Sequence, residues 1–355
     1  MSWADALGWT AARLRAIIDR HGPDAVAFYG SGQLDSEAGY LAVKLFKGSI
    51  GTNNTDSNSR LCMASAVAGY RTSLGADGPP CCYADIDLSD CLVVWGSNMA
   101  EAFPVTFDRV MAHLRAHPGT ELIVVDPRRT NTATCATLYV PVAPGGDIAL
   151  LNAVGKRLLQ RDAFDVRFVA QHTRGFAEYS AFLAAQDMGE LCAAAGVDEE
   201  IIDRIAGLIA GATGFLSFYC MGLNQSTVGM WKNNSLINLH LLTGQIGRPG
   251  SVSPKVGLTA VEMFRALEKG QLKALWIAGT NPAVSLPDLH HVRRALSRAQ
   301  LVVVQDAYHP TETTRFADVL LPAAQWGEKE WTSTNSERMV AYSPRLFPAP
   351  GEALP

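Results

Sequence analysis

Short β-branched or aromatic runs, separated by helical stretches, constrain this chain more than any other feature. The runs lie at 25–28, 92–95, 122–125, 215–219, 274–277 and 301–304. Between them apolar residues recur at helical spacing. Within 9–21, Leu14, Ile17 and Ile18 share one face, and Ser2 followed by Asp5 offers a capping box ahead of it. The stretches 147–159, 199–209, 230–242 and 258–267 read as further helices. Such alternation predicts an α/β fold with parallel sheets covered on both faces. In such folds ligands bind beyond the carboxyl ends of the strands, so the residues just after each strand matter most.

Those strand ends repeat. The run at 92–95 leads into Gly96-Ser97-Asn98, and the run at 274–277 leads through Ala278 into Gly279-Thr280-Asn281. A valine-rich strand ending in an acid follows each: Ile123-Val124-Val125-Asp126 in one half, Val302-Val303-Val304-Gln305-Asp306 in the other. A third element then ends in proline, Leu138-Tyr139-Val140-Pro141 matched by Val319-Leu320-Leu321-Pro322. Glycine after a strand lets the backbone approach a pyrophosphate, and an acid ending the next strand can accept ribose hydroxyls. Two ordered copies therefore point to two nucleotide sites. The run at 215–219 ends in Cys220-Met221-Gly222-Leu223-Asn224-Gln225, another glycine-bearing polar turn. Gly30-Ser31-Gly32-Gln33-Leu34-Asp35 lacks the third glycine of a dinucleotide fingerprint, and no phosphate-binding Gly-Lys-Ser/Thr loop is present.

Composition sets the class. With 355 residues, 48% hydrophobic and 18% charged, the chain reads as a soluble globular protein with room for two domains. A net charge of -4 and no run of Lys or Arg argue against nucleic acid as a partner. No apolar stretch approaches the roughly 18 residues of a membrane span. The N-terminus has neither a basic region nor an apolar one of a secretory signal. The cysteines, at 62, 81, 82, 91, 135, 192 and 220, form no pair spaced for a zinc ribbon or an iron–sulfur cluster. A cytoplasmic location is expected. The histidines, at 21, 113, 117, 172, 240, 290, 291 and 309, show no metal spacing, and most are expected at surfaces or helix ends.

Cys62 stands where the polar stretch Asn53-Asn54-Thr55-Asp56-Ser57-Asn58-Ser59 turns apolar and small. That is the pattern of a loop delivering a side chain onto the first turn of a helix, where a thiol is placed to attack or to bind a soft metal. A small buried hydrophobe is the competing role of a free cysteine.

With these residues in view, the chain resembles the molybdopterin oxidoreductases, and within them the nitrate reductase branch. The resemblance runs from Trp3 to about Met339. It is carried by Ser57-Asn58-Ser59-Arg60-Leu61-Cys62-Met63-Ala64-Ser65, Trp95-Gly96-Ser97-Asn98-Met99-Ala100-Glu101 and Leu239-His240-Leu241-Leu242-Thr243-Gly244-Gln245-Ile246-Gly247-Arg248-Pro249-Gly250. Pro79-Pro80-Cys81-Cys82-Tyr83 looks closest to the assimilatory enzymes, and Cys followed by Met is similar to nitrate reductases, whereas formate dehydrogenases place His there.

The resemblance implies two Rossmann-like parallel-sheet domains holding molybdenum bis(molybdopterin guanine dinucleotide). By similarity Cys62 is the metal ligand, with Met63 and Met221 lining the pocket. Gly96, Ser97, Asn98, Asp126, Arg128, Thr130, Gly146 and Asp147 would hold one guanine dinucleotide. Gly222, Asn224, Gln225, Gly279, Asn281, Gln305 and Asp306 would hold the other. The implied reaction is reduction of nitrate to nitrite in nitrate assimilation, with electrons from a donor protein or a cluster domain. Family members carry a 4Fe-4S cluster whose ligands this chain lacks, and a C-terminal barrel beyond Pro355. The segment 251–256 is shorter than the glycine-rich stretch usual in the branch. The alternatives are a non-catalytic or truncated pterin-binding protein and another molybdenum oxidoreductase, such as a formate dehydrogenase relative. The expected domains are 60–212 with the first dinucleotide half, 1–59 with 213–345 carrying the second, and a tail at 346–355.

Overall fold

The computed structural model of the protein describes residues 2–246, 260–334 and 340–354. Its strands, in chain order, are β1 (Val26–Gly30), β2 (Thr55–Ser57), β3 (Cys91–Trp95), β4 (Glu121–Val125), β5 (Leu138–Val140), β6 (Phe215–Tyr219), β7 (Ala274–Ala278), β8 (Leu301–Asp306), β9 (Val319–Pro322), β10 (Trp331–Thr334) and β11 (Val340–Ser343). They divide between two compact units, Cys62–Val252 and the discontinuous Met1–Leu61 with Ser253–Pro355.

In the unit Cys62–Val252 the strand order is β5-β4-β3-β6, and every pairing is parallel. All five residues of β3 are buried. The two-residue period decides which side each serves. Cys91, Val93, Trp95, Ile123 and Val125 join residues of the helices Asp147–Gln160 and Glu199–Gly211 in one core. Leu92, Val94, Leu122 and Val124 join Phe107 and Val110 of the helix Pro104–Ala116 in another. Cover on both faces is why β3 reads as an unbroken apolar run. The helix Glu199–Gly211 buries Ile202, Ile205, Ala206 and Ile209 on one stripe, and Glu199 and Glu200 sit at the positive end of its dipole.

The discontinuous unit repeats this logic in the order β2-β1-β7-β8-β9, again parallel throughout. Ala27, Tyr29, Leu275, Ile277, Val302 and Val304 face one core; Val26, Ala274, Leu301 and Val303 face the other. The helix Trp3–His21 covers the second with Ala6 and Ile17. It begins six residues earlier than the apolar period predicts, because Ser2 Oγ accepts from the Asp5 amide at 3.2 Å and starts it. The helix expected at 258–267 is seen from Ala260 to Glu268. β10 and β11 pair antiparallel in a two-stranded sheet of their own.

Two expected boundaries are corrected. The strand Phe215–Tyr219 does not join the discontinuous unit. It pairs with β3 in the register Cys91↔Phe215 to Trp95↔Tyr219, so the first unit extends some forty residues beyond 212. Gly222, Asn224 and Gln225 follow it there. The tail also proves to be built in: Leu354 bridges to Ala323, its amide donates to Pro322 O at 3.2 Å, and Trp3 Nε1 donates to Glu352 O. The shortened 251–256 segment lies outside the described residues.

His240 lies in the last turn of the helix Gly229–Thr243, a helix end as expected. It lies against Phe215 with ring centroids 4.1 Å apart and planes 3° from parallel. Its Nδ1 is 2.9 Å from Gln245 O, which can only accept, so Nδ1 carries the proton. Nε2 then accepts from Ser217 Oγ at 2.8 Å, and Ser217 Oγ accepts from Trp95 Nε1 at 3.1 Å. Burial holds this imidazole down, at about 4. The unfolded chain takes up the proton near 6.5, so the stabilising contribution is complete above pH 6.5 and is lost as the pH falls toward 4. The expected loss is about 3 kcal/mol across that window. Denaturant midpoints measured from pH 7.5 to 4 should show this decline, and His240→Gln should flatten it.

Candidate functional site

The glycine turns after β3 and β6 meet. Gly96 adopts φ +55, its amide donates to Val125 O at 2.8 Å, and its carbonyl accepts from the Gly222 amide at 3.0 Å. A Cβ on Gly96 would lie 2.8 Å from Gly222 Cα, and one on Gly222 would lie 2.6 Å from Gly96 Cα. Both positions must therefore be glycine for the two backbones to touch. The result is a bare-backbone floor at the carboxyl end of the sheet.

Sulfur gathers at this end. Cys62 closes the short turn Ser59–Cys62, and the helix Ala64–Leu74 starts just after Met63. The cysteine thus stands at the junction of two helical segments, two residues before the helix whose first turn the sequence assigned to it. Its Sγ is 3.4 Å from Met221 Sδ. Met63 Sδ is 3.8 Å from Asn224 Nδ2, and Asn224 Oδ1 accepts from Asn233 Nδ2 at 3.0 Å. Cys220, which the sequence reading passed over, joins this group. Burial, opposed by the Met221 amide and aided by nearby Cys62, pushes its thiol up. Among the described residues no three of His, Cys, Asp and Glu gather to hold a metal.

The other expected residues of this unit have assignable contacts. Asp126 Oδ1 accepts from the Arg128 amide at 2.9 Å, shaping the turn that carries Arg128. Thr130 caps the helix Asn131–Thr134 through the Ala133 amide. Gly146 is required by packing, since a Cβ there would sit 2.8 Å from Ala194 O. Asp147 pairs with buried Lys232, Oδ2 to Nζ at 2.6 Å, and the same ammonium lies 3.4 Å from Gly222 O. Gln225 is exposed. Lys232 and Asn233 were missed because they fall inside a helix, Gly229–Thr243, whose pattern reads as ordinary packing.

In the discontinuous unit the second copy recurs in detail. Gly279 has φ +61 and its amide donates to Gln305 O at 2.8 Å, as Gly96 does to Val125. Asp306 Oδ1 accepts from the Tyr308 amide at 3.0 Å, as Asp126 does from Arg128. The asparagines match as well. Asn98 Oδ1 accepts from Thr132 Oγ1 at 2.9 Å, and Asn281 Oδ1 accepts from Thr313 Oγ1 at 2.6 Å. Thr132 and Thr313 were not singled out in the sequence, although they lie six and seven residues beyond Asp126 and Asp306.

Comparison with known proteins agrees with this arrangement. The family model described as molybdopterin oxidoreductase matches residues 1–355. A nitrate reductase of Synechocystis sp. is 40% identical, aligned over 100% of this chain and 57% of its own length. The periplasmic nitrate reductase of Desulfovibrio desulfuricans is 35% identical over 100% of this chain and 55% of its own. The chain thus spans just over half the length of these relatives. Among solved structures, acetylene hydratase from Pelobacter acetylenicus superposes with a TM-score of 0.85 at 21% identity, covering 100% of this chain and 57% of that one, which establishes the fold.

Proposed function

The chain belongs to the molybdopterin oxidoreductase family, and on that premise we propose that it forms the catalytic core of a molybdenum-dependent nitrate reductase, reducing nitrate to nitrite by oxygen-atom transfer. The family implies a molybdenum–pterin cofactor. We read its form as two guanine dinucleotides around one metal. The observation that carries the reading is Cys62 Sγ beside Met221 Sδ, at the edge of the floor made by Gly96 and Gly222. Soft sulfur donors and a backbone open to close approach suit a sulfur-rich metal centre with phosphate-bearing arms.

When bound, the cofactor supplies the redox chemistry of oxygen-atom transfer. The chain's own residues hold and shield it. Cys62 would ligate the metal through its thiolate. Met63 and Met221 would line the substrate side as polarizable, non-ligating walls that exclude water. Gly96, Ser97, Asn98, Asp126, Arg128, Thr130, Gly146 and Asp147 would hold one dinucleotide. Gly279, Asn281, Gln305 and Asp306 would hold the other. Met63 after Cys62 supports nitrate over formate as substrate. Electrons would come from a donor protein or a cluster domain, and an assimilatory role in the cytoplasm fits the residues that carry the resemblance. Among the described residues no helix is long and apolar enough to cross a membrane.

The test is to purify the chain from a host that makes the cofactor, then measure molybdenum, guanine nucleotide and dye-driven nitrite formation. Bound molybdenum with two guanine nucleotides and nitrite production are expected. Metal with formate oxidation alone would overturn the substrate, and a metal-free chain would overturn the cofactor.

A further inference from the structure

We propose that Thr132 and Thr313 are positioning residues: they turn the carboxamides of Asn98 and Asn281 so that each strand-end turn offers an N–H donor to the group it holds. This polarity selects an acceptor-rich group of the phosphate class. The inference rests on the reading of these turns as cofactor-holding.

The Ala100 amide donates to Thr132 Oγ1 at 2.9 Å, and an amide N–H can do nothing else. The single hydroxyl proton of Thr132 is then donated to Asn98 at 2.9 Å, so the atom it meets must be the carbonyl oxygen. The amino group is left on the opposite side. In the second copy the Ala283 amide donates to Thr313 Oγ1 at 3.1 Å, and Thr313 Oγ1 donates to Asn281 Oδ1 at 2.6 Å. The Thr313 amide adds a second donor to the same oxygen at 3.2 Å. A flipped carboxamide would donate to the hydroxyl's second lone pair and take away the acceptor of its buried proton, and in the second copy it would also set N–H against the Thr313 backbone N–H.

Both threonines are buried, at 0% and 1% exposure, so water cannot take over the relay. Neither asparagine caps its own helix with its side chain, so capping does not explain the arrangement. In the second copy the outward amino group is engaged within the chain, one of its two protons going to a carboxylate. Asn281 Nδ2 donates to Glu312 Oε2 at 2.8 Å, and that bond holds the Glu312 carboxyl below its ordinary range. In the first copy no described residue accepts from Asn98 Nδ2. The glycines alone shape the turns; the relay adds direction to the amide, and it does so in both units.

Two substitutions separate direction from fold. Thr132→Val keeps the β-branched shape and removes the relay. Asn98→Asp keeps an inward oxygen for Thr132 and replaces the outward donor with an acceptor. Each variant, with Thr132→Ser as the conservative rescue, is purified as the full chain from a host that supplies the cofactor. Guanine nucleotide released on denaturation is counted per chain, and melting of the nucleotide-free protein is recorded. Thr132→Ser should load as the unmodified chain does. Thr132→Val and Asn98→Asp should each lose about tenfold in loading, the size of one directed hydrogen bond, and Asn98→Asp should melt unchanged. Asn98→Asp loaded like the unmodified chain overturns the proposal, including where Thr132→Val fails to fold. An unmodified chain without guanine nucleotide sinks the cofactor reading and this inference together, whereas loaded variants sink this inference alone.

Discussion

Cys62→Ala is expected to lower nitrate reduction by about a thousandfold or more, equivalent to roughly 4 kcal/mol of barrier, while leaving the fold intact. The two halves of this expectation have separate grounds. Cys62 is only partly buried, and its closest partner is the Met221 sulfur at 3.4 Å, a weak contact. Losing it should cost well under about 1 kcal/mol of stability. Its proposed work is ligation, and a methyl group offers no ligand. Cys62→Ser retains reach but presents a hard oxygen to a soft centre, so it should rescue metal content poorly. Molybdenum per chain, nitrite rate and melting midpoint, measured together on the three proteins, decide the matter. Full metal and rate in Cys62→Ala would remove this residue from the site.

Lys232→Met should produce the largest loss of stability. The Lys232 side chain is 5% exposed and that of Asp147 14%. Removing one member of a buried ion pair leaves the other charged and uncompensated, at a cost of about 3–5 kcal/mol. For a unit of this size that is a fall of roughly 10 °C in melting midpoint. Lys232→Met combined with Asp147→Leu should recover most of the loss, because two apolar groups replace the pair without stranding a charge. Calorimetry of the single and double variants makes the comparison. A Lys232→Met protein melting within about a degree of the unmodified chain would show that the ammonium is dispensable.

Much of the fold was legible because parallel sheets covered on both faces need unbroken apolar strands, and β3, β4, β7 and β8 are of that kind. β2 escaped notice because Thr55-Asp56-Ser57 is short and polar, and only its pairing with Phe28, Tyr29 and Gly30 makes it a strand. The placement of β6 could not be read at all. A run such as Phe215-Leu216-Ser217-Phe218-Tyr219 fits either sheet, and register against β3 is decided by packing across distant segments. The site divides in the same way. Gly96, Gly222 and Gly279 announced themselves through their position after strands. Thr132, Thr313, Lys232 and Asn233 act through partners far away in sequence, and their local context looks like any buried helix or turn.

The interrupted unit has a consequence for synthesis. β1 takes its place between β2 and β7, and all of Cys62–Val252 intervenes before β7 exists. From residue 30 to residue 274, translation at about 5–20 residues per second takes on the order of 10–50 s. During that interval β1 has only β2 of its two neighbours in the finished sheet, while Val26, Ala27 and Tyr29, all buried there, lack their cover. The opposite edge of β1 stays open to any passing strand. The later unit in the chain can be complete on the ribosome while the earlier one still waits. Yield from expression should therefore depend on how quickly the ribosome reaches β7 and on what shields β1 until it does.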